Sequence, residues 1–96
     1  MRLNSKQRKT LQDVFDDPVK SDIKWSDIES LVLALGGTLK ERRGSRVSIR
    51  VGGVSRIFHR PHPSPNTVKA AVRDFRRLLQ EADISPNIGG QDDHDN

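Results

Sequence analysis

Cysteine is absent from this 96-residue chain, which excludes a disulfide framework and a thiolate zinc site and suits a reducing compartment. Long apolar runs are absent too. Nothing approaches the roughly 18 residues of a membrane span, and the polar opening residues do not read as a signal peptide. A cytoplasmic location with no membrane partner is the expectation. No nucleophile elbow surrounds any serine, and no helix-turn-helix spacing stands out for a DNA-binding adaptor. Acidic residues are nearly missing from the middle of the chain. Positions 40–77 hold eleven Lys/Arg (Lys40, Arg42, Arg43, Arg46, Arg50, Arg56, Arg60, Lys69, Arg73, Arg76, Arg77) against Glu41 and Asp74, whereas positions 1–39 hold six of each sign. Such a field favours a polyanion or an acidic protein partner; the plain alternative is a solvated cationic face kept for solubility.

What is present fits one small domain with a modest core, at 32% apolar residues. Its centre is a pair of short strands joined by Gly52-Gly53, a pair suited to the positive φ angles of a tight hairpin. Val47, Ile49 and Val51 alternate with Arg46, Ser48 and Arg50, giving one apolar and one cationic face. A preceding strand is expected over 38–41, turning at Arg42-Arg43-Gly44.

Helical spacing accounts for the rest. From Asn4-Ser5 to about Asp16, Leu11, Val14 and Phe15 fall on one side, and Pro18 ends the helix. Ser26-Asp27-Ile28-Glu29 fits a capping box, after which Ile28, Leu31, Val32 and Leu35 repeat until Gly36-Gly37. Trp25 reads as a packing anchor, with nucleic-acid stacking as its alternative. Asn66 or Thr67 is placed to cap a helix to about Asp83, with Val68, Ala71, Val72, Phe75, Leu78, Leu79 and Ala82 on one stripe and Lys69, Arg73, Arg76 and Arg77 opposite. Residues 85–96, including His94, have almost nothing to bury and read as a disordered tail. The order helix, helix, three strands, helix implies an α+β fold, an antiparallel sheet with helices on one face and an open basic face suited to phosphate.

The second hairpin strand ends in His59-Arg60-Pro61-His62-Pro63. A metal site is disfavoured, since the two imidazoles lack acidic or cysteine neighbours, and neither a metal nor a small-molecule cofactor is expected. RNA cleavage suits them better. Attack of a 2′-hydroxyl on the adjacent phosphate needs a base, an acid and cations, and imidazole, with an ordinary pKa near 6.5, can fill either proton role. The prolines favour polyproline II, whose period of about three would put His59 and His62 on one side, roughly 9 Å apart. The alternative is a pair of histidines hydrogen-bonded around a rigid turn.

Lys24-Trp25-Ser26-Asp27-Ile28-Glu29 with Leu31, the Gly36-Gly37 stop, Gly44-Ser45-Arg46, Phe58-His59-Arg60-Pro61-His62-Pro63 and Val72-Arg73-Asp74-Phe75-Arg76-Arg77-Leu78-Leu79 together resemble the HicA family of toxins. Those are small ribonucleases (mRNA interferases) neutralised by a HicB antitoxin. The resemblance implies a double-stranded-RNA-binding-domain-like fold over 23–84, with 1–22 as a helical extension, and mRNA and a HicB-like protein as partners. The family's catalytic histidine falls at Arg46, which is always protonated and can clamp phosphate but cannot act as a base. The expected catalytic group is therefore His59, His62 and Arg46, with Arg42, Arg43, Ser45, Arg50, Arg60 and Arg73 binding phosphate. A non-catalytic RNA-binding or antitoxin-binding module on the same surface is the alternative.

Overall fold

The computed structural model describes residues 2–87; most of the expected tail, with His94, lies outside the described residues. Six elements follow one another: α1 (Ser5–Val14), α2 (Trp25–Ala34), β1 (Thr38–Glu41), β2 (Arg46–Val51), β3 (Val54–His59) and α3 (Lys69–Glu81). The strands form one antiparallel sheet in the order β1-β2-β3, giving the α+β architecture that the patterning implies.

Local chemistry sets several boundaries. Asn4 Oδ1 accepts from the Gln7 amide at 2.8 Å while Gln7 Oε1 accepts from the Asn4 amide at 2.9 Å, a reciprocal cap that starts α1. Gly52 and Gly53 have φ of 55° and 86°, the two positive angles of a tight hairpin. After α2, Gly36 takes φ 81°, and the amides of Gly36 and Gly37 return to the carbonyls of Leu33 and Val32 at 3.1 and 2.8 Å. This is a Schellman closure. α3 closes the same way with Asp83 at φ 60°: Asp83 N reaches Gln80 O at 3.0 Å and Ile84 N reaches Leu79 O at 2.8 Å.

The two other expected caps do not form. α2 begins at Trp25 with Lys24 as its cap residue and no side-chain cap, so the Ser26…Glu29 box is absent. The backbone decides this: Trp25 N donates to Pro65 O at 2.9 Å, and Thr67 N donates to Ile23 O at 2.8 Å, around a β-bridge between Lys24 and Asn66. That pairing fixes the entry to α2 ahead of Ser26 and draws Asn66 and Thr67 away from α3, whose cap residue is Val68, again without a side-chain bond. Val68 itself is 65% exposed and drops out of the apolar stripe. The Asp17–Pro18 and His62–Pro63 peptides are cis.

One face of the sheet is covered by the helices. Val47, Ile49, Val51 and Phe58 from the strands meet Ile28, Leu31 and Val32 of α2 and Val72, Phe75, Leu78 and Leu79 of α3. Trp25 is buried as an anchor: its ring lies 6.1 Å from Phe58, which meets Phe75 edge-on at 6.3 Å and 74°. The N-terminal helix belongs to the same core. Leu3, Leu11 and Val14 are fully buried within it, so the boundary expected after residue 22 is no division in the packing. Arg76 of α3 secures that helix, donating from Nε to Val14 O at 2.8 Å and from Nη2 to Asp16 O at 2.6 Å, which satisfies carbonyls at the end of α1.

Two substitutions test these assignments by urea unfolding. Phe75→Ala empties the centre of the packed layer and is expected to cost about 3–5 kcal/mol. Asp83→Gly relieves a non-glycine residue of a left-handed angle and is expected to gain about 0.5–1 kcal/mol; a loss of stability there would contradict the closure.

Candidate functional site

The strand registers define an outer sheet face that no helix among the described residues covers. Arg46 pairs with His59; Lys40, Ser48 and Ile57 form the next row; Thr38, Arg50 and Ser55 the third. Three cations and an imidazole share this face with hydroxyls and Ile57, which is 51% exposed, and no carboxylate stands among them. Directly paired side chains sit about 5 Å apart, so Arg46 and His59 are neighbours. The Arg42 amide donates to Arg46 O at 2.9 Å, carrying the ladder one step into the turn. Arg46 Nε returns to Arg43 O at 3.1 Å, which steadies the guanidinium while its terminal nitrogens keep their donors. Arg42, Arg46, Arg50 and His59 are thus brought together, as the alternation in β2 implies, and Lys40 joins them, whereas Arg43 and Ser45 stand in the turn before β2, where the alternation does not place them.

Two of the expected phosphate ligands do not belong to this surface. Arg60 is already engaged. Its Nη1 donates to Glu41 at 2.6 Å, while Nε and Nη2 donate to one oxygen of Glu29 at 3.3 and 3.1 Å. The hydrogen bond that it donates to Glu41 and then those to Glu29 raise its pKa above the ordinary arginine value, so Arg60 holds its charge and donates no proton at any pH a protein meets. Arg73 is exposed on α3. With Val72, Phe75 and Leu79 turned inward, helical periodicity puts Arg73 nearly opposite them, on the side of the molecule away from the open sheet face. Charge counting could not foresee either result. Arg56 likewise pairs with Glu81 at 2.5 Å.

Glu29 does structural work that the sequence assigns to a helix cap. Its Oε2 accepts from Trp25 Nε1 at 2.9 Å as well as from Arg60, and so ties the residue between the two histidines to the first turns of α2. The Arg60 amide donates to Ser45 O at 2.8 Å, joining the same segment to the start of β2.

Beyond β3 the chain borders a groove of about 770 Å³ lined by His59, Arg60, His62, Asn66, Thr67 and Lys69, among others. Both histidines therefore reach one concavity, at the edge of the basic face. Ser64, Asn66, Thr67 and Lys69 were not singled out as ligands by the sequence; the Ser-Pro-Asn-Thr run reads there only as a turn and a cap. Among the described residues, no three His, Cys, Asp or Glu side chains are grouped to hold a metal ion, and no helix is long and apolar enough to cross a membrane.

Glu29→Gln keeps the side-chain shape but removes the charge that Arg60 and the Trp25 indole share. It is expected to cost about 1–2 kcal/mol in thermal or urea unfolding and to shift the His59 and His62 ring resonances in NMR spectra; unchanged rings would mean that Glu29 does not position the histidines. Compared with protein-family models, curated proteins and solved structures, the chain matches none.

Proposed function

We propose that this protein binds single-stranded RNA on the outer face of its sheet and cleaves it there, as a toxin ribonuclease of the HicA kind held in check by a HicB-like antitoxin. The observation that carries this reading is a helix-free face bearing Lys40, Arg46 and Arg50 without a carboxylate, with His59 paired to Arg46. A protein that needed only solubility gains nothing from concentrating one sign of charge on its flattest surface, where like charges repel. A polyanion repays that repulsion. The order α2, β1, β2, β3, α3 with the helices on one face agrees with the RNA-binding fold that the resemblance of residues 24–84 implies.

In the proposed reaction, one imidazole takes the proton of a 2′-hydroxyl. The 2′-oxygen forms a bond to the adjacent phosphorus, the bond from phosphorus to the 5′-oxygen breaks, and the second imidazole protonates that leaving oxygen. The products are a 2′,3′-cyclic phosphate and a 5′-hydroxyl. Arg46, beside His59, is placed to donate two hydrogen bonds to the phosphoryl oxygens as charge grows on them. Lys40, Arg50 and Arg42 hold flanking phosphates, and Ile57 offers an apolar patch for a base. Because Arg46 stands where the family has its histidine, a second reading has the same face bind RNA or the antitoxin without cutting.

A labelled transcript incubated with the purified protein in EDTA separates the two. Cleavage that falls about 10²–10⁴-fold in His59→Ala or His62→Ala, with RNA affinity retained, supports the first reading. Binding without cutting supports the second. With about four cations reaching phosphates, log affinity against log salt should have a slope of about −3, and a slope near zero would exclude both.

A further inference from the structure

The third strand leaves a row of backbone groups unanswered. In an antiparallel hairpin the residues that exchange bonds alternate with those that do not, and here the parity is set where the Arg60 amide donates to Ser45 O at 2.8 Å. Counting back along the register, Phe58, Arg56 and Val54 face β2 in the same way. Ser55, Ile57 and His59 therefore turn their amides and carbonyls to the far side, where no fourth strand pairs with them among the described residues. The opposite edge offers less. β1 has four residues, and its outward groups belong to Leu39 and to Glu41, whose carboxylate is bonded to Arg60. Exposed edges are ordinarily shortened, bulged or guarded by proline, lysine or an inward charge. β3 has six residues in unbroken register without proline, lysine or carboxylate; its one inward-facing guanidinium, that of Arg56, is neutralised by Glu81 of α3, and Ile57 near its centre is half exposed.

Whatever completes such an edge must present N–H and C=O together at every second residue, a repeat that a polypeptide strand has and a nucleic acid lacks. Charge narrows the choice further. The edge ends at His59, on the wall of the groove of about 770 Å³, where His62 and Lys69 also stand and no carboxylate lines the wall among the described residues. One strand behind, Arg50 and Arg46 pair with Ser55 and His59. An added strand lies about 5 Å from β3 and about 10 Å from β2, so acidic side chains on its outer face and these arginines reach each other across β3. A second copy of β3 would instead set a second group of like cations beside the first. Pro61, Val68 and Ala71 give the groove an apolar part, room for one further side chain of an entering strand.

We propose that the free edge of β3 is a docking site for an extended acidic segment of a partner protein, which joins the sheet as a fourth strand and lays one end in the groove. Ser55, Ile57 and His59 supply the backbone bonds. Arg46, Arg50 and Lys69 supply the preference for acidic side chains. The docking stands without the RNA reading above; only its consequence, that a seated strand covers His59 against RNA, rests on that reading.

The test uses the whole chain labelled with ¹⁵N and a short capped peptide alternating glutamate and valine. On binding, the amides of Ser55, Ile57 and His59 are expected to gain protection from hydrogen exchange, while those of Arg56 and Phe58, already bonded to β2, keep what they have. Protection that ignores this alternation would overturn the strand addition. Two further peptides carry N-methyl groups either on every glutamate or on every valine. Because successive amides of a strand point to opposite sides, one of the two should lose about tenfold or more in affinity and the other little; equal binding by both overturns the ladder. Lysine in place of every glutamate should weaken binding about tenfold at low salt, and a lysine peptide that binds as well removes the acidic partner. Protection of the same three amides that grows with protein concentration alone assigns the edge to a second copy, and protection by an uncleavable 2′-O-methyl RNA assigns it to nucleic acid; either result overturns the proposal. Peptide docking in a protein with no affinity for RNA supports the site while removing the consequence for RNA.

Discussion

The ion pair between Arg60 and Glu29 is the interaction on which the arrangement of this protein's chemistry depends. Arg60 lies between the two histidines in sequence, and Glu29 projects from the second turn of α2, 31 residues earlier. Their side chains are about one-third and one-quarter exposed, so water screens the pair only in part, and its value exceeds that of an ordinary surface bridge. By also accepting from the Trp25 indole, Glu29 locks the pair to the aromatic centre of the core. The end of β3 is thereby held on two sides, and the groove acquires its wall. A lysine in place of Arg60 could not donate through three nitrogens to two carboxylates at once.

The fold was largely legible because its signals are periodic and local. Alternation in Val47, Ile49 and Val51, the Gly52-Gly53 turn and the stripe from Val72 to Leu79 each determine an element without help from elsewhere. The starts of α2 and α3 were not, for a reason outside local sequence. Ser26, Asn66 and Thr67 are all good capping residues, but a β-bridge between segments some forty residues apart claims the backbone at both places, and tertiary pairing outweighs a single side-chain bond. The N-terminal helix lies outside the stretch that carries the resemblance, yet Leu3, Leu11 and Val14 are completely enclosed.

The site was half legible. A strand's period of two separates Arg46 and Arg50 from the core residues between them, so the cationic face follows from the sequence alone. Counting charge over 40–77, however, adds together arginines with different duties. Arg56, Arg60 and Arg76 bond to groups within the fold, and Arg73 stands on the opposite side. A sequence gives each of them the same +1. Likewise, nothing in the run Ser64 to Lys69 indicates that a hydroxyl will be buried without a partner; that emerges only when the backbone of Thr67 is spent on Ile23.

Arg76 holds the end of α1 across a separation of 62 residues. Among the described residues the first helix and the last are thus mutually dependent, and neither has enough apolar surface to be stable by itself. During synthesis, Leu11 and Val14 leave the ribosome well before the residues that cover them. The core closes only after α3 has emerged, which makes assembly all-or-none and late, with the greatest entropy cost met in one long loop closure.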